Sequence, residues 1–163
     1  MEIDDKKLDE IIKATEAEYK KIDVIRCPFF GEDIRFSDDG FKHMLYKGKF
    51  NKKKRDKNTQ YMRLKLFKLA CKLIRATKTL QEYYSTNHFV RVRNNKRREK
   101  VLKEVEYWGF IAIVENRRIK VIIKQYANGE KKFWSIIPNW NIRKKQGSSE
   151  EEIINYSGDL ESD

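Results

Sequence analysis

Histidine and cysteine are scarce in this chain, with two of each among 163 residues. No apolar run approaches the roughly 20 residues that a helix needs to cross a bilayer. Each shortage narrows the field of functions. Cys27 and Cys71 are too few for a disulfide framework and match no zinc spacing, so they read as half-buried structural thiols. No His/Asp/Glu cluster has metal-ligand spacing, and no metal or other cofactor is expected. The opening stretch MEIDDKKLDE lacks the positive-then-apolar layout of a secretion signal. Neither a lipidation motif nor a basic amphipathic helix points to a membrane surface. The expectation is an intracellular, cytoplasmic protein with no membrane partner.

What is abundant is positive charge. The chain carries 37 Lys and Arg against 25 Asp and Glu, a formal net charge of +12. Residues 1–20 hold 7 acidic and 4 basic side chains, and residues 147–163 hold 6 acidic and none basic. The body between them, 21–146, therefore has 33 basic against 12 acidic residues. A basic body between acidic ends suits a polyanion partner. A lysine-rich solvated surface would give the same counts and is the competing reading. Hydrophobic residues at 39% and aromatics at 12% are enough for one folded domain with a core.

Periodicity divides the chain into a helical first half and a strand-rich second half. Residues 4–20 place Leu8, Ile11, Ile12 and Tyr19 on one helix face. IDVIRCPFF and DIRFS read as a small hairpin around Gly31. Ser37 or Asp38 can cap a helix running to about Lys47, and a basic loop, GKFNKKKRDKN, follows. Residues 61–77 form a strong helix on Met62, Leu66, Leu69, Leu73 and Ile74, and 78–84 add a short helical turn. From about Phe89 the period falls to two. HFVRVR is a strand, NNKRREK a basic turn or short helix, and EVEYWGFIAIVE, RIKVIIKQY and KKFWSII are three further strands. The reading is an α+β fold, N-terminal helices followed by a four-stranded or larger antiparallel β-sheet. It has a helical extension at 1–21, a main domain at 22–142 and an acidic flexible tail at 143–163.

Asn128-Gly129 is a strong hairpin signal, because both central residues of a two-residue turn need positive φ. That turn would pair Lys124 with Phe133 and Ile122 with Ser135. One sheet face then carries Val121, Ile123, Trp134 and Ile136, and the other Lys120, Ile122, Lys124, Tyr126, Lys131, Phe133 and Ser135. A second turn at Asn116-Arg117 sets Gly109 opposite Lys124 and Tyr107 opposite Tyr126. Glycine in a strand often marks close approach by a ligand or another backbone. A one-residue slip would exchange the two faces.

His43 and Lys47, four residues apart, share a helix face if the helix continues. A histidine of near-neutral pKa is a natural proton carrier for RNA cleavage, in which the 2′-hydroxyl loses a proton and the 5′-oxygen gains one. Lysine or serine donors can hold the charge that builds on the phosphorane. His88 reads as a surface residue. Lys52, Lys53, Lys54 and Arg55, then Arg91, Arg93, Arg97 and Arg98, suit phosphate contact. Tyr83, Tyr84, Tyr107, Tyr126 and Trp134 suit base stacking.

Three stretches, IRCPFFGEDIRFSDDGFKHMLYK (25–47), YMRLKLFKLA (61–70) and EYWGFIAIVENRRIKVIIKQYANGEKKFWSIIP (106–138), resemble in their order a known group. It is the phage- and mobile-element-associated branch of the barnase–EndoU–colicin–RelE-like ribonuclease fold. The resemblance covers roughly 22–142. It implies helical elements followed by a four-stranded antiparallel sheet, RNA cleavage without a metal, and a toxin restrained by an antitoxin or immunity protein. Carried onto this chain, it makes His43 the acid/base residue. Lys124 with Ser135 or Tyr126 are sheet-face partners, Lys47 a further phosphorane stabiliser, and Arg63 a helix contribution. The extra N-terminal helix and the acidic tail depart from the group's pattern. A non-catalytic RNA- or DNA-binding module on the same basic, aromatic face is the alternative, and a protein-interaction domain with acidic partners a third.

Overall fold

The computed structural model describes residues 2–139, 142–144, 151–153, 160 and 163. Helix α1 (Asp5–Lys21) begins where the Asp4 carboxylate accepts the Lys7 N–H at 2.7 Å, a side-chain cap for one otherwise orphaned donor. It leads into the hairpin β1 (Val24–Cys27) and β2 (Glu32–Arg35), which turns through Gly31 at φ 64°. Helix α2 (Asp38–Leu45) and the two-residue strands β3 (Tyr46–Lys47) and β4 (Lys53–Lys54) follow. Helix α3 (Lys57–Ala76) starts four residues earlier than its apolar period indicates, because Asp56 caps it through the Thr59 N–H at 2.9 Å. Leu66, Leu69, Leu73 and Ile74 are buried as the stripe requires. No helix among the described residues is long and apolar enough to cross a membrane.

The second half is one long meander. Strands β5 (Glu82–Asn94), β6 (Arg97–Val114), β7 (Arg117–Tyr126) and β8 (Lys132–Pro138) pair antiparallel in sequence order. The first hairpin extends this to six strands in the order β1-β2-β8-β7-β6-β5, with β2 and β8 parallel through the single pair Arg35↔Lys132. Short strands β9 (Ile142–Lys144) and β10 (Glu151–Ile153) pair with each other. The expected helical turn at 78–84 gives way to strand from Glu82, because β6 supplies a complete pairing partner up to Glu82↔Gly109. NNKRREK is a tight turn at Asn95-Lys96, both at positive φ, with strand on either side.

One face of the sheet packs on all three helices. Tyr19 of α1 sits among Phe36, Phe41, Phe67 and Phe133, so the N-terminal helix shares the main core. The opposite face holds a smaller apolar group, Val105, Tyr107, Ile122, Trp134 and Leu160.

Register decides which residues lie on that second face. The turn between β6 and β7 is Glu115-Asn116, one residue earlier than expected, so Gly109 pairs with Ile122 and Tyr107 with Lys124. A shift of two along the partner leaves every side chain on its expected face. The Asn-Gly turn changes more. Ala127 takes the positive φ of 46° and Gly129 N–H donates to the Tyr126 carbonyl at 2.8 Å. Ile122 still pairs with Ser135, but Ile123 pairs with Phe133, so β8 carries one extra residue there. Phe133 therefore enters the helix-side core, and Trp134 joins Ser135 on the other face. The face assignments expected for Phe133 and Trp134 are exchanged.

Gly40 in α2 lies directly on β8: a Cβ there would overlap the Phe133 carbonyl oxygen and stand 2.6 Å from the Tyr19 hydroxyl. Both obstacles are held, one as backbone and one by its hydrogen bond to the Ser37 carbonyl at 2.6 Å. Gly40→Ala is expected to destabilise the protein by about 2 kcal/mol through overpacking. Urea midpoints at constant m-value check this; an unchanged midpoint would mean that α2 does not sit this close to the strand.

Candidate nucleic-acid interface

Because β2 leaves β8 after one pair, the β8 edge beyond Lys132 is lined by α2 and α3. This brings His43, in the last turn of α2, onto Trp134: the rings stack at 3.8 Å and 20°. His43 is wholly buried. Arg55 Nη2 lies 3.1 Å from His43 Nε2, and Arg55 Nε donates to the His43 carbonyl at 3.0 Å. A guanidinium only donates, so Nε2 accepts and Nδ1 carries the proton. Nδ1 then donates to Asn51 Oδ1 at 2.6 Å. Burial holds the His43 pKa down at about 3; the Asn51 bond opposes this, and the charges of Arg55, Arg63 and Lys124 add to it. His43 is thus a neutral ring with both nitrogens engaged. In this arrangement it orients Asn51 and Arg55, and the proton-carrier role expected of it has no free nitrogen.

Asn51 is itself shaped for the position, at φ 53° with Nδ2 donating to the Asp39 carbonyl at 3.2 Å. It forms part of a cleft of about 290 Å³ with Lys42, Lys49, Phe50, Lys124, Tyr126 and Trp134. Lys124 Nζ stands 3.8 Å from the Trp134 ring centroid, 4.7 Å from that of Tyr126 and 5.5 Å from that of Tyr107. Aromatic faces attract the ammonium and also cover it. The cleft, which Asp39 also lines, combines ammonium groups with aromatic walls.

The expected site residues divide into three sets. His43, Lys124, Tyr126, Ser135, Arg55 and Arg63 come together, with Trp134 between them. Arg63 Nη1 donates to Ser135 Oγ at 2.6 Å. Arg55 and Arg63 are buried, so they belong to this cluster and not to an outer RNA-recruiting surface. The second set is the exposed one, Lys52, Lys53 and Lys54, with Lys47 paired opposite Lys53 in β3. The helix stops at Leu45, so Lys47 does not share the His43 helix face; that expectation is corrected.

The third set lies on the β5–β6 ribbon. Beyond Val105↔Tyr126 the two strands run on alone from Asn87↔Glu104 to Asn94↔Arg97. Cross-strand partners share a face. One face presents Phe89 with Leu102, then Arg91 with Lys100, then Arg93 with Arg98. Phe89 is 68% and Leu102 54% exposed. Arg97 is exposed beside the turn. Like charges directly opposite each other destabilise a strand pair, so these two cationic pairs weaken the ribbon in isolation. His88, read as a surface residue, is buried against the Phe50 and Tyr126 rings at 6.0 and 6.3 Å.

Lys42, Lys49, Phe50, Asn51, Lys100 and Lys120 were not distinguished as site residues by sequence. Lys120 had a signal, since it alternates with Ile122 and Lys124 on one face. The others depend on loop geometry that no period encodes.

The lowered His43 pKa makes a pH prediction. The unfolded chain binds a proton near pH 6.5 and the folded one only near 3, so between these values the unfolded state holds more protons and stability falls as pH falls. The slope from this residue approaches about 1.4 kcal/mol per pH unit well below 6.5. His43→Gln should flatten the fall between pH 6.5 and 4.5, measured by urea unfolding. Parallel curves for the two proteins would contradict the buried, neutral ring.

Comparison with known proteins finds no matching family model, no matching curated protein and no matching solved structure.

Proposed function

We propose that this protein binds RNA along the β5–β6 ribbon, on the face that carries Arg91, Arg93, Arg98 and Lys100. The observation that carries the reading is the ribbon. Arg91, Lys100, Arg93 and Arg98 form two like-charged cross-strand pairs next to an exposed Phe89–Leu102 pair. An arrangement that costs folding stability is compensated when a polyanion lies across it. Phosphates meet the cations, and unstacked bases meet Phe89. Exposed Tyr83 lies on the same face towards the base of the ribbon.

A metal-independent endoribonuclease of the toxin type is the second reading. It is favoured by the convergence of Lys124, Ser135, Arg55 and Arg63 around Trp134 and by the resemblance of the three sequence stretches. In it, lysine and arginine stabilise the phosphorane, while His43 positions Arg55 and Asn51. An antitoxin or immunity protein would then be a further partner.

Fluorescence anisotropy with a labelled single-stranded RNA over a range of salt tests the binding. Arg91→Ala/Arg93→Ala/Arg98→Ala should weaken it more than ten-fold and flatten the log–log salt slope by about 2, at about 0.7 per lost phosphate contact. An unchanged slope would rule the ribbon out as the contact surface. For the second reading, discrete cuts in total RNA should persist in EDTA and disappear with Lys124→Ala. RNA that stays intact while bound leaves binding as the activity.

A further inference from the structure

Arg55, Arg63, Lys120 and Ser135 reach one point from four separate parts of the chain. Arg55 follows β4, Arg63 is on α3, Lys120 on β7 and Ser135 on β8. Their exposures are 9%, 5%, 1% and 0%. All four turn to Asp163. Its main-chain oxygen accepts from Arg63 Nη1 at 2.5 Å, Ser135 Oγ at 2.6 Å and Arg55 Nη2 at 3.1 Å. Its carboxylate lies 3.4 Å from Lys120 Nζ, which also meets Glu82 at 3.2 Å.

Burying a cation is costly unless an anion accompanies it, and here three cations surround one small volume. Two guanidinium groups, an ammonium and a hydroxyl form a donor set with no acceptor preference for a single carboxylate. It matches an anion with several oxygens spread in three dimensions, as in phosphate. Asp163 fills the place with oxygens of two kinds, one main-chain and one side-chain. Leu160 is a separate anchor: it is 5% exposed and packs with Val105, Tyr107, Ile122 and Trp134. Gly109 makes room for it and for Glu82, since a Cβ at Gly109 would stand 3.1 Å from Glu82 Cβ and 3.2 Å from Leu160 Cδ2. The close approach signalled by a glycine inside a strand is therefore made by Glu82 across the strand pair and by Leu160.

We propose that Arg55, Arg63, Lys120 and Ser135 form a phosphate-binding site, and that Asp163, anchored by Leu160, occupies it and must leave before phosphate enters. The site takes free phosphate or the phosphodiester of RNA; only the second source rests on the RNA-binding reading. Asp163 is then a built-in competitor, with Leu160 as its anchor.

The test uses the full chain and inorganic phosphate as probe, read by calorimetric titration and by melting temperature. Leu160→Asp removes the anchor without touching a phosphate-site residue. It should bind phosphate at least ten-fold more tightly than wild type, and Leu160→Asp/Arg63→Gln should lose the gain. Equal phosphate affinity in wild type and Leu160→Asp, or a gain that survives Arg63→Gln, overturns the proposal. Should Leu160→Asp prove unfolded by circular dichroism, Leu160→Ala replaces it, with a smaller gain in the same direction expected and no gain counting against the site. Labelled single-stranded RNA forms the second arm. Tighter RNA binding by Leu160→Asp, reversed by Arg63→Gln, assigns the phosphate to RNA. Phosphate binding with no RNA binding by any variant keeps the site and removes the RNA reading. RNA binding that neither substitution alters, with no phosphate binding, keeps the RNA reading and removes the site.

Discussion

The extra residue at Trp134 in β8 is the constraint on which the candidate site depends. Without it, strict alternation would send Trp134 into the helix-side core and leave Phe133 beside Lys124. With it, Phe133 completes the aromatic group around Tyr19, stacking on Phe36 at 5.2 Å. Trp134 and Ser135 project side by side from the other face. Trp134 then offers its ring to both His43 and Lys124, and Ser135 offers its hydroxyl to Arg63. One backbone irregularity, of the kind common near functional sites, thereby joins two helices, a loop and a sheet face in a single cluster.

Within that cluster the electrostatics are those of binding. Burial pulls Arg55 down to about 10, with Asp163 and Asp56 opposing the fall, and leaves it charged at neutral pH. His43 stays neutral beside it, so the imidazole adds no repulsion and accepts an Arg55 hydrogen bond. An anion that replaced Asp163 would meet donors already in place, which is the physical content of a preorganised site.

Much of the fold was legible because its periods are strong. The stripe of α3 and the alternation in β7 identify both elements and their buried faces. The failures have separate causes. Asn128-Gly129 advertises a two-residue turn, but the Ala127 N–H is drawn to the Glu104 carbonyl at 2.7 Å on the neighbouring strand, and the turn closes one residue early. Residues 78–84 show no strand period, and only the partner β6 makes strand of 82–84. The site was half legible. His43, Lys124, Tyr126, Ser135 and Arg63 do meet, yet the burial of His43 depends on Arg55 folding inward from a stretch that reads as solvent-exposed charge. Arg63 carried a clue, three residues after buried Gln60 and next to Leu64 on the packed side of α3.

The β5–β6 ribbon has one more consequence. β5 is the last strand of the sheet, so its outer backbone groups face outward over a stretch that includes exposed Phe89. A long apolar edge of this kind invites a second copy to add itself as a further strand. Arg91 and Arg93 charge that edge, and two copies brought edge to edge repel each other. The same cations that the proposed RNA would meet thus oppose the addition of a second copy at this edge. High salt, which screens them, weakens both effects together.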